Sequence, residues 1–218
     1  MTRQKMGRVL AVILLCVSFW QFSSAALIQG KAVLAQHLLE HAWSSTLARK
    51  QPVKPWPWAD TWPVARIKVP RLGEEAIVLA GAKGNSLAFA PGHMSQTVSP
   101  GRHGVSIISA HRDTHFSFLK KIQVNDKVIV TDLNGMNHVY EVTQLQIVDG
   151  RNFHISQTIS HQVLMLTTCY PFDAINPGGH LRYVVTTEAL PDKWGQSTIL
   201  SNRGMPFESR DQSPLKIL

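Results

Sequence analysis

Cysteine is nearly missing from this chain, with two copies in 218 residues. Cys16 lies in an apolar N-terminal stretch, so Cys169 is the lone thiol of everything that follows. No intramolecular disulfide is available there, and a single thiol outside the cytosol is unusual unless it is buried or useful. Charge is also sparse, at 17% of residues. Basic residues exceed acidic ones by 22 − 14 = 8, yet they form no Lys/Arg run. That scattered excess argues against nucleic acid and suits anionic lipid or a polyanionic envelope. Internal repeats are absent, which removes solenoids and propellers from consideration. The 44% of hydrophobic residues excludes wholesale disorder, and the length fits one ordinary domain with appendages.

What is present begins with an uncharged run. Arg3, Lys5 and Arg8 precede residues 9–28, VLAVILLCVSFWQFSSAALI. Twenty residues at about 1.5 Å each give about 30 Å, enough to cross a bilayer as a helix. The basic flank predicts that residues 1–8 stay in the cytoplasm and the rest is exported. The small residues SSAA at Ser23–Ala26 support a competing reading, a cleaved signal peptide. The uncleaved anchor is favoured because the apolar pattern continues without a break. Ala32, Leu34, Leu38, Leu39 and Trp43 extend a helix past the membrane.

Residues 51–63, QPVKPWPWADTWP, hold four prolines and three tryptophans. No long helix survives that spacing. The segment reads as a linker whose tryptophans cap a core or lie at the membrane surface. Residues 29–62 therefore combine a juxtamembrane helix with this linker. After it the chain turns to β-prone runs. VARIKVPRL and EEAIVLAG read as strands, with Pro70 at an edge or bend. NSLAFAPGHM predicts a short helical turn, and VSIISAHR (residues 105–112) a strand ending in His111. SFLKKI reads as a short helix. DKVIVTDL and NHVYEVTQLQIVD pair as a hairpin around Asn134-Gly135. QVLMLTTC and HLRYVVTT are the last strong strands. Seven or eight strands with few helices predict a mainly β fold, a mixed but mostly antiparallel barrel or sandwich. Residues 191–218 mix Gly, Ser, Pro and charge, and read as a loosely docked or mobile tail.

The chemistry gathers at strand ends. Alternation puts Val163, Met165, Thr167 and Cys169 on one face, and His180, Arg182, Val184 and Thr186 on one face of the next strand. The loop between is long enough to turn back and bring Arg182 near Cys169. A thiol, an imidazole from His111 and a guanidinium at neighbouring strand ends are the parts of an acyl-transfer site. Singly, each has an ordinary reading: a packed cysteine, a hydrogen-bonding histidine, a solvated arginine. A metal reading, with His111, His115 and Cys169 as ligands, is disfavoured. The four-residue spacing serves one face only on a helix, and His111 is read on a strand.

SAHRDTHFSFL resembles the catalytic-histidine segment of the sortase family, with Ala110 where Gly is common. LTTCYP resembles the family's Thr-Leu-x-Thr-Cys strand end, and LRYVV the strand that carries its arginine. The resemblance runs over residues 63–190. The N-terminal anchor and PWPWADTWPVARI most resemble the class GN sortases of Gram-negative bacteria. The resemblance implies an eight-stranded β-barrel with short helices. It implies a cysteine transpeptidase, single-pass in the inner membrane, with its catalytic domain on the periplasmic side. Its partners would be an exported protein with a C-terminal Leu-Pro-x-Thr-Gly-like sorting motif and an unspecified amine acceptor. By position, Cys169 would be the nucleophile, His111 the general acid/base, and Arg182 the oxyanion or substrate-positioning residue. No cofactor and no metal is demanded, although some family members use calcium. Two rivals are an L,D-transpeptidase, whose Ser/His-Gly-Cys-type motif LTTCYP does not fit, and a non-enzymatic anchored barrel with a buried, unreactive Cys169.

Overall fold

The computed structural model describes residues 3–84, 86–152, 161–174 and 179–191. The first element, α1, runs as one helix from Arg3–Arg49. The expected junction near residue 28 leaves no break: no proline intervenes before Trp43, and the single Gly30 costs only about 1 kcal/mol. Lys50, with a left-handed φ of 52°, and then Pro52 end it. The remaining elements are β1 (Pro63–Val69), β2 (Glu74–Ala80), α2 (Ser86–Phe89), β3 (Gly92–His93), β4 (Gly104–Ser109), β5 (Lys127–Thr131), β6 (Asn137–Asp149), β7 (Gln162–Cys169) and β8 (Leu181–Ala189). Short 3-10 turns at Pro70–Leu72 and Ser117–Lys121 complete the set. The tail beyond Pro191 lies outside the described residues, as does part of the loop before β8.

The eight strands close into a barrel in the order β1-β2-β3-β4-β7-β8-β6-β5. Two contacts, β2–β3 and β4–β7, are parallel, and the others are antiparallel. Alternation is plain in β1, where Pro63, Ala65, Ile67 and Val69 are buried and Lys68 faces out. Inward residues from around the barrel meet in one core that includes Ile67, Val78, Ile108, Val128, Tyr140, Leu164, Leu166 and Val185. Phe116, Phe118 and Leu119, in and beside the second 3-10 turn, cover one end. The hairpin turn between β5 and β6 uses Gly135 at φ 79°, a conformation that asks for glycine.

The C-terminal part of α1 docks on the outside of β2. Leu39 and Trp43 bury against Ile77, Leu79 and Ala90. Full burial of such side chains contributes about 1.5–3 kcal/mol each. Ala32 and Leu34, in the same expected extension of the helix, stay exposed. Arg66 on β1 ties the helix down. It pairs with Glu40 of α1 and Glu75 of β2, and its guanidinium lies 5.8 Å from the centre of the Trp43 ring. On the opposite side, Arg71 donates to the buried Asp126 carboxylate and to the Lys121 carbonyl. The Arg71 hydrogen bond holds that carboxyl below the usual carboxylate range.

Candidate active site at the ends of β4, β7 and β8

β7 sends Leu164, Leu166 and Thr168 to the barrel interior and Val163, Met165, Thr167 and Cys169 to the other face. Val163 and Met165 are covered there by Val105, Ile107 and Val184. Cys169, at the last position, is half-buried. Pro171 has no N–H, so the ladder cannot continue far beyond it.

β8 returns antiparallel, and its register sets Arg182 directly opposite Cys169. Opposed residues share a face with Cβ atoms about 4.5–5.5 Å apart. The Arg182 Nη1 donates to the carbonyls of Gly179 (2.7 Å) and Leu181 (2.9 Å). Its stem lies along Gly150, where an added Cβ would come within 3.1 Å of the Arg182 Cγ. Gly150 is pinned in turn by its N–H to the His180 carbonyl at 2.8 Å.

β4 runs parallel to β7, with Ser109 level with Thr167. The expected strand end at His111 needs correction: β4 stops at Ser109, two residues earlier. The chain is already turning there, since the His111 carbonyl accepts the Phe116 N–H at 3.0 Å. Two bonds keep the departing segment against β7. The Ala110 N–H donates to the Thr167 carbonyl (3.2 Å), and the buried Thr168 hydroxyl donates to the Ala110 carbonyl (2.7 Å). His111 therefore leaves the sheet level with Cys169 and is exposed. The structure thus brings the ends of all three segments together, with Cys169 and Arg182 in one cross-strand pair.

Further neighbours complete the surroundings, among them His115, which the sequence offered only in the disfavoured metal reading. His115 is half-buried, hydrogen-bonds to the Ala88 carbonyl and feels the charge of His111. Burial holds its imidazole below the ordinary value. Tyr170, Phe172 and Tyr183 form an aromatic trio, with Phe172 edge-on to Tyr183 at 5.3 Å. Burial, and then Tyr170, push the Tyr183 phenol up. Asp149 chelates Arg151 (2.6 Å) with His180 at 3.8 Å, and the Arg151 hydrogen bond holds the carboxyl well below its usual range. Arg112 donates to the Ala174 carbonyl at 2.9 Å, which joins the loop after β4 to the loop after β7. Among the described residues, no three His, Cys, Asp or Glu side chains cluster as a metal-ligand set.

A closed eight-stranded barrel with a half-buried cysteine facing an arginine at its rim defines a class of protein by fold and site. The sortase domain family matches residues 67–190, more than half of the chain. The chain belongs to the sortase family. It is 28% identical over 121 residues to Sortase D of Bacillus subtilis, and it spans 60% of the length of that curated relative. A solved Clostridium perfringens Sortase D5 transpeptidase superposes with a TM-score of 0.58 at 19% identity, over 73% of this chain and 99% of that one. The pilus-related Sortase C of Group B Streptococcus superposes with a TM-score of 0.52 at 26% identity, over 62% and 70%. At 19% identity the Clostridium likeness speaks for the fold alone.

Proposed function

We propose that this chain is a membrane-anchored cysteine transpeptidase of protein sorting. It cuts an exported protein at a C-terminal Leu-Pro-x-Thr-Gly-like motif and passes the new carboxyl end to an amine. The observation that carries this reading is the register that opposes Cys169 and Arg182 while His111 leaves the neighbouring strand at the same level. Family membership supports the same chemistry.

In this reading the Cys169 thiolate attacks the carbonyl carbon of the motif's Thr and forms a C–S bond. The negative charge moves to the carbonyl oxygen, where the planar donors of Arg182 hold it. As that intermediate collapses, the Thr–Gly C–N bond breaks and His111 gives its proton to the leaving amine. The thioester remains on Cys169. An acceptor amine then attacks it, His111 takes the amine's proton, and the C–S bond breaks to restore the thiolate. The two carbonyls that Arg182 already engages fix its guanidinium near the rim before substrate arrives.

The domain division follows from this function. Residues 1–8 are cytoplasmic, 9–28 span the inner membrane, 29–62 connect, and 63–190 form the catalytic barrel on the periplasmic side, followed by the tail. α1 supports the anchor: among the described residues it is the one helix long and apolar enough to cross a membrane by length and composition. The class GN assignment belongs to the same proposal and rests on residues 55–67 beside the anchor.

The test uses the full chain with a purified exported protein that ends in such a motif, an apolar stretch and a basic tail. Intact-mass measurement is expected to find the thioacyl adduct on the wild type. Cys169→Ala is expected to keep its Tm and lose all processing. Wild-type processing by the folded Cys169→Ala protein would reject the nucleophile.

A further inference from the structure

We propose that the groove between α1 and the Pro/Trp-rich linker is a membrane-docking surface, seated on the phospholipid bilayer with the Trp58 indole among the headgroups. The groove encloses about 550 Å³ and is walled by Lys31, Leu34 and Leu38 of α1, Trp56 and Trp58 of the linker, and Phe89 of α2. The inference rests on the membrane-anchor part of the proposed function and on none of its chemistry.

Helix geometry sets the height. Lys31 is three residues past the end of the apolar run, about 4.5 Å along the axis, and Leu34 is about 9 Å along it. The headgroup layer of one leaflet is about 5–8 Å deep. The wall of the groove therefore starts inside that layer. α1 passes through this stretch unbroken, and Leu39 and Trp43 clamp it to the barrel. The barrel is thus carried to the bilayer at a set height.

Side-chain chemistry agrees. Leu27, Val33 and Leu34 are 66%, 58% and 58% exposed, and Trp58 is 83% exposed. An indole left this open beside an apolar groove gains little from water. At the headgroup level its ring is buried and its N–H finds acceptors. Charge is also ordered along the groove. Lys31 stands at the bilayer end, where lipid phosphates lie. Asp60 stands with Thr61 and Ser86 on the partition shared with a second cleft that contains Lys83. The groove also touches Ala88, whose carbonyl accepts a hydrogen bond from His115.

The experiment places one full-length copy in each nanodisc of phosphatidylethanolamine with a minority of phosphatidylglycerol, with or without bromine on the acyl chains. The emission of Trp58 is read as the difference between wild type and Trp58→Phe, and that of Trp20 likewise from Trp20→Phe. Trp58 is exposed, so its replacement leaves the fold intact. Loss of most of the Trp58 signal in brominated discs is the expected result. If Trp20 is quenched while Trp58 keeps its full signal, docking is wrong and the anchor stands. That outcome also covers a groove occupied by a protein segment instead of lipid. If neither is quenched, both docking and anchor are wrong. Turnover enters neither readout, so failure of the proposed chemistry leaves this inference standing.

Discussion

The β4–β7 ladder and the β5–β6 hairpin are both rich in Val and Ile, yet they meet water differently. β4 and β7 are covered on both faces: Ile108, Leu164 and Leu166 point into the core, while Val105, Ile107, Val163 and Met165 pack in an outer cluster with Val184. Where they pair, β5 and β6 bury one face only, through Val128, Val130, Tyr140 and Val142. Their other face carries the Lys127–Glu141 pair and the Thr131–Asn137 hydrogen bond. The doubly covered ladder ends in Cys169 and leads to His111, whereas the hairpin closes the barrel and carries none of the residues proposed for the chemistry. Precision at a strand end comes from packing on both sides of the strand, because a side chain locked in a dense environment has few ways to shift.

The largest break in this contrast is expected from Leu166→Ala. Leu166 is completely buried, and its truncation should cost about 2–5 kcal/mol. Urea unfolding should show that loss. An unchanged midpoint would mean that the ladder is not the rigid part.

Next comes Thr168→Val, which leaves the buried Ala110 carbonyl without its hydroxyl donor. Stability should drop by about 1–3 kcal/mol. Because Thr168 acts through the segment that carries His111, kcat should fall with little change in KM, and Thr168→Ser should restore both. A loss of stability with kcat intact would reduce Thr168 to a structural residue.

Acid separates the two regions. Burial lowers His93, on β3 beside β4, and His115, after β4, from 6.5. A group with a lowered folded value gives its full stabilisation above its unfolded value and loses it as pH falls toward the folded one. The ladder side should therefore weaken first, below about pH 6.5. The hairpin side follows near and below 3.8, when Asp126 gains a proton and releases Arg71. Hydrogen exchange measured down the pH scale should show protection lost in that order, and the reverse order would contradict the assignment.

The smallest effect belongs to Ile147→Ala on β6. Ile147 is half-exposed, and the change should stay within about 0.5 kcal/mol. A loss several times larger would show that Ile147 is covered in solution.

Local pattern foretold much of this. The alternation of β7 and β8, with a loop of the right length, was enough to pair Cys169 with Arg182. Asn134-Gly135 marked its turn, and the prolines of residues 51–63 marked the end of α1. The eight-stranded barrel implied by the family resemblance is the fold the chain adopts. What escaped reading is non-local. Nothing in β4 or β7 announces that they run parallel, since that pairing is made by a long crossover. The contact of β1 with β5 that closes the barrel likewise joins distant segments. Ala32 and Leu34 resemble Leu39 and Trp43 as apolar residues, yet only the latter pair meets the barrel. A helix with apolar residues on several sides does not declare which of them it will bury. Gly150 gave no signal at all, because its value lies in room left for the Arg182 stem.

The unbroken course of α1 makes the chain sensitive to angle as well as to distance. A flexible tether would forgive an insertion between Ile28 and Ala35. A continuous helix does not: each added residue turns everything beyond it by about 100° and raises it by about 1.5 Å. The direction in which the barrel looks is thus counted in residues, like teeth on a gear, and substitutions in that stretch are tolerated far more readily than a change in its length.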